Sequence, residues 1–142
     1  MLSVRKQFTL GKDERLKSRK QIEQLFDTGK SFVVAPFRVY FILNSELSKR
    51  NERSPLQVGV GASSKNYKKA VERNRIKRLT REAWRLQKNE LEEKVNASGK
   101  QLSVFFIYTS KELPDFTMVK DKVGVALKKL VDKIDESISK NS

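Results

Sequence analysis

A chain of 142 residues can bury one hydrophobic core but hardly two, so one domain is expected, with an ordered core over about residues 8–138. Its 31 Lys and Arg outweigh 17 Asp and Glu by a net charge of +14, far more than solubility asks of a small domain, and a polyanionic partner is the first inference. Cys and His are both absent, which excludes a disulfide framework, a thiolate zinc site, a thiol nucleophile and an imidazole base.

The opening "MLSVRKQFTL" lacks the continuous apolar stretch of a signal peptide, and no run of about 18 apolar residues could span a bilayer. A soluble, cytoplasmic protein with no membrane role is expected. The first element is a short helix over residues 18–28, "SRKQIEQLFDT". Ser18 with Gln21 three positions on forms a capping box, Ile22, Leu25 and Phe26 share a face, and Gly29 ends the element.

The apolar period then changes to two. "SFVVA" runs into Pro36, and "FRVYFIL", residues 37–43, places Phe37, Val39, Phe41 and Leu43 on a core face with Arg38, Tyr40 and Ile42 opposite. Residues 44–55, "NSELSKRNERSP", read as a polar connection, and "LQVGVGA", 56–62, as a third strand. A long helix is expected from about Asn66 to about Val95, stopped at Gly99. "LSVFFIYT", 102–109, is the most apolar strand and so is expected at the centre of the sheet. After "ELPDF", Asp115 can cap a last helix whose stripe is Phe116, Val119, Val123, Leu127, Leu130 and Ile134. The order is α-β-β-β-α-β-α, an α+β fold.

The long helix carries the unusual feature. Ile76, Leu79, Ala83 and Leu86 fall in a stripe about 80° wide, with Arg73, Lys77, Arg81, Arg85 and Lys88 on the other side and Trp84 among them, either as a cover for a neighbouring segment or as a stacking surface. A solvated helix relieves its cations with Glu at i,i+4. Residues 65–88 instead hold ten cations against only Glu72 and Glu82. Arginine predominates in the middle of the run, which suits bidentate contact with phosphate. The acidic residues are single or paired among lysines and show no metal-binding spacing, so no catalytic side chain and no protein metal site are expected.

"KKAVERNRIKRLTREAWR", residues 68–85, resembles the RNR signature of the bacterial ribonuclease P protein family. The likeness extends through "RLKSRKQIEQLFDTGKSF", "FRVYFI", "VGVGASSK" and "LSVFFIYT", in the family's order and across most of the chain. It implies a two-layer α/β sandwich, a four-stranded sheet with a left-handed βαβ crossover, and the accessory subunit of a ribonucleoprotein whose RNA removes the 5′ leader from precursor tRNA. It also implies that Lys69, Arg73, Asn74, Arg75, Lys77, Arg78, Arg81 and Arg85 face the catalytic RNA, and that Phe26, Ser31, Tyr40 and Lys65 bind the leader. Arg38 joins the leader set because it shares the strand face of Tyr40. Mg²⁺ would be held mainly by RNA; the expected partners are that RNA and precursor tRNA, with no protein partner. Two departures stand out: Ile22 where the family often has an aromatic residue, and Glu72 where it often has an apolar one.

Charge and stacking chemistry agree with this. Aromatic rings beside cations grip a single strand whatever its bases, whereas folded RNA is held by shape and phosphate. A structural RNA-binding protein and a protein-only nuclease are the two other classes that the charge admits.

Overall fold

The structure is a computed structural model and describes residues 14–16, 18–44 and 55–141. Residues 8–13 of the expected ordered core and 45–54 of the expected polar connection lie outside the described residues. The elements are α1 (Arg19–Thr28), β1 (Lys30–Val34), β2 (Phe37–Asn44), β3 (Leu56–Ala62), α2 (Ala70–Gln87), α3 (Asn89–Ser98), β4 (Gln101–Tyr108) and α4 (Phe116–Asn141).

Local signals set most boundaries. The Ser18 hydroxyl accepts from the Gln21 N–H at 3.4 Å at the start of α1, and the Asp115 carboxylate accepts from the Met118 N–H at 2.8 Å at the start of α4. Gly99, with φ +71°, ends α3 in the left-handed region that residues with a Cβ disfavour.

The long helix expected from Asn66 starts later and is interrupted. Asn66 instead donates from its side chain to the Thr109 carbonyl at 3.0 Å, Tyr67 is buried, and regular helix begins only at Ala70. At Lys88 the helical ladder breaks, and it resumes as α3. The described residues therefore hold four helices.

The sheet order is β1-β2-β4-β3. β1 and β2 are antiparallel, as are β2 and β4, whereas β3 runs parallel to β4 and reaches it by a crossover through α2 and α3. β4 is internal, as its apolar sequence predicts. Alternation divides its residues: Leu102, Val104, Phe106 and Tyr108 are buried, while Ser103, Phe105 and Ile107 are only partly so. Phe37, Val39 and Phe41 of β2 join the buried set, and Leu43 packs at its margin. α2, α3 and α4 cover this face, with Trp84 edge-on to Phe106 at 5.7 Å and Val119, Val123, Leu127, Leu130 and Ile134 beneath. α1 crosses the opposite face, where Phe26 meets Tyr40 and Phe105.

The buried arc of α2 lies about a quarter turn from the apolar stripe read in the sequence. Ile76 and Ala83 are buried as expected, but Thr80, Trp84 and Lys88 join them, and Leu79 and Leu86 are left at the margin. The large indole packs against Phe106 inside the core, and the two leucines keep partial burial at its edge. Trp84 thus covers the sheet and is not a stacking surface.

Lys88 is likewise not one of the solvent-facing cations. It is 1 % exposed, with Nζ 2.8 Å from both Glu14 carboxylate oxygens and 4.0 Å from Glu92. Burying an ammonium costs several kcal/mol unless paired, and these carboxylates supply the pairing.

Candidate nucleic-acid interface

Strand register fixes what the open sheet face displays. Ser31, Tyr40, Phe105 and Gly59 stand in one row across the four strands; Val33, Arg38, Ile107 and Gly61 stand in the next. Phe26 projects from α1 over the first row, its ring centroid 4.8 Å from Tyr40 and 5.3 Å from Phe105. It is 40 % exposed. Phe26 and Tyr40 therefore present partly solvated aromatic surface, with Ser31 and Arg38 exposed beside them.

Phe105 belongs to this cluster, although apolarity alone marked its strand only as central. Alternation puts the odd-numbered residues of β4 on one face, and the register with β2 makes it the face of Tyr40. On β3, Gly59 and Gly61 make room for its ring: a Cβ at residue 59 would stand 2.5 Å from the ring, and one at residue 61 would stand 3.1 Å away.

Because β3 is an edge strand, α2 can reach around it to this open face. Arg73, Lys77 and Arg81, one helical turn apart, line a groove of about 380 Å³ with Gly59, Gly61, Phe105, Ile22 and Arg15. Asn74, Arg75 and Arg78 point to solvent, as does Lys69 just before the helix. The expected RNA-facing set thus splits into an inner row at the groove and an outer row beside Val71, itself 79 % exposed.

Two cations have internal partners. The Arg73 Nη1 donates to the Tyr67 and Lys68 carbonyls, each at 2.8 Å, and braces the turn into α2 in place of a side-chain N-cap. Arg85 pairs with Glu82, whose hydrogen bond raises the guanidinium pKa and lowers that of the carboxyl. Arg85 is absent from the groove lining. Lys65 sits exposed in the turn after β3, where its N–H donates to the Ser63 hydroxyl at 3.2 Å, and it too is absent from the lining. Burial, then the nearby charge of Arg15, pushes the Arg81 pKa down.

The lining contains no acidic residue. Among the described residues no three Asp or Glu side chains gather as a metal site, and no helix is long and apolar enough to cross a membrane. The arrangement offers positive charge and ring surface, the chemistry of binding single-stranded nucleic acid.

The family model for ribonuclease P matches residues 10–131, most of the chain. The chain belongs to the ribonuclease P protein family. It is 39 % identical over 134 residues to a ribonuclease P protein component of Porphyromonas gingivalis, spanning 94 % of this chain and 95 % of that one. It is 34 % identical to the component of Chlorobium phaeobacteroides, spanning 82 % and 84 %. The RNase P protein of Staphylococcus aureus has a similar fold, with a TM-score of 0.54 at 24 % identity over 81 % of this chain and 93 % of the other. The chain is accordingly a protein subunit of ribonuclease P and works in tRNA 5′ processing.

Proposed function

We propose that this ribonuclease P subunit binds the catalytic RNA through the outer row of α2 and its entry, the cations Lys69, Arg75 and Arg78 with the neutral amide of Asn74 among them, and holds the 5′ leader of precursor tRNA on the open sheet face. Phe26, Ser31, Arg38 and Tyr40 make the leader surface, with Phe105 as its floor and Lys65 at the turn beyond. The inner row of Arg73, Lys77 and Arg81 joins the two surfaces, and Arg85 extends it while tied to Glu82. The observation that carries this reading is the aromatic cluster of Phe26, Tyr40 and Phe105 beside a groove lined by cations without acids.

The chain contributes binding and charge. A cationic bridge offsets repulsion between two polyanions and eases the filling of Mg²⁺ sites, which the RNA holds; the described side chains offer no cluster that fits the ion. The hydrolytic chemistry belongs to the RNA subunit, and the complex works in the cytoplasm without a further protein partner.

Tyr40→Ala tests the leader surface. In the reconstituted ribonucleoprotein it should weaken precursor tRNA binding by about 1 to 3 kcal/mol per lost base stack and leave mature tRNA, which has no leader, nearly unaffected. Equal weakening of both would remove the leader from this face and favour a structural RNA-binding role.

A further inference from the structure

The segment before α1 is held more firmly than a terminal strap needs to be. Leu16 is buried, its N–H donates to the Val58 carbonyl at 2.8 Å, and Arg15 forms an isolated parallel bridge to Val58, so the segment closes the outer edge of β3. Glu14 reaches in the other direction, to Lys88 at the junction of α2 and α3. Anchored on both sides, Arg15 is set at the groove close enough to Arg81 for the two guanidinium charges to disfavour one another. Among the described residues neither has an acidic partner within ion-pair distance.

Two like charges held together without an acid between them are a poor arrangement for the free protein and a good one for an anion. The groove floor of glycine and phenylalanine admits the sugar and base attached to such an anion. We propose that Arg15 is an RNA-phosphate contact of the groove and that the Glu14–Lys88 ion pair is the device that positions it. This rests on the nucleic-acid reading of the groove given above. The phosphodiester belongs either to the leader or to the catalytic RNA.

The test is a double-mutant cycle on the reconstituted ribonucleoprotein, with affinity measured against salt for precursor tRNA, for mature tRNA and for protein–RNA assembly. Arg15→Ala should weaken one of these by roughly tenfold and flatten its salt slope by about one unit, while Arg15→Lys keeps most of the slope. Glu14→Gln, which leaves Glu92 beside Lys88, should reproduce the loss and add nothing in the Arg15→Ala background. Should Glu14→Gln melt below the assay temperature, Glu14→Asp takes its place in the cycle. A loss confined to precursor tRNA assigns the phosphate to the leader, and a loss in assembly assigns it to the catalytic RNA; both support the proposal. Unchanged affinity and slope in Arg15→Ala overturn it, and additive losses overturn the positioning role of Glu14. An unchanged slope in Arg81→Ala would instead overturn the reading of the groove itself.

Discussion

The Phe105 ring occupies space beside β3 where a side chain at residue 59 would stand. A methyl there meets the ring at 2.5 Å, so Gly59→Ala must displace either the ring or the strand. Overpacking of this kind costs about 1 to 3 kcal/mol, and Gly61→Ala, at 3.1 Å, should cost less. Thermal melting of the two variants checks the ranking, and leader-dependent binding should fall with Gly59→Ala because the displaced ring also supports Phe26. At this scale the sequence shows residue types well and neighbours poorly. Arg38 and Tyr40 were legible as an outward face because alternation along one strand is local. The role of Phe105 was obscured because apolar residue types flank it on both sides, and only register with Tyr40 and Gly59 shows which face it serves.

Elements delimited by local chemistry were legible, and those interrupted by tertiary contacts were not. Ser18 and Asp115 cap helices through hydrogen bonds three residues long, so the sequence carries the complete signal. No Gly or Pro stands at residue 88; what distinguishes the junction there is a carboxylate 74 residues away. The same junction shapes a pH effect through Glu92, whose pKa is raised, first by burial; Lys88 opposes the rise, and Glu14 and Glu93 add to it. A carboxyl whose pKa is raised on folding favours the protonated native state. Its stabilisation is complete below the unfolded value of about 4.3 and is lost as pH rises through the higher folded value. Glu92→Gln lacks that loss. The melting temperature of the variant relative to the parent should therefore rise between about pH 4 and pH 7, and a gap that narrows over this range would assign Glu92 a net favourable charge in the fold. Removing the ammonium acts in the opposite sense. Lys88→Ala leaves Glu14 without its buried partner and should cost about 3 to 5 kcal/mol, as read by denaturant unfolding.

Across the whole molecule the same charge has opposite consequences for folding and for binding. A net charge of +14 on 142 residues repels itself in the compact state, and the repulsion concentrates around α2, where Arg81 feels the charge of Arg15 across the groove and Arg75 and Arg78 face water. Added salt screens exposed like charges, with a Debye length that falls from about 10 Å at 0.1 M to about 3 Å at 1 M. The free protein should therefore become more stable as salt rises, by roughly 4 °C for each 1 kcal/mol of repulsion relieved in a domain of this size. Binding should respond in the reverse direction. Each cation that neutralises an RNA phosphate releases counterions, so affinity for the catalytic RNA should fall steeply with the logarithm of salt, and Arg78→Ala should flatten that slope by about one unit. The two measurements on one variant are linked, because Arg78→Ala removes a repelling charge from the free protein and, on the proposed RNA-binding role of the outer row, a phosphate contact from the complex. It should melt at a higher temperature than the parent at low salt and bind more weakly there, with both differences shrinking as salt rises. A variant that gains stability but keeps the full salt slope would place Arg78 in solvent in the complex as well.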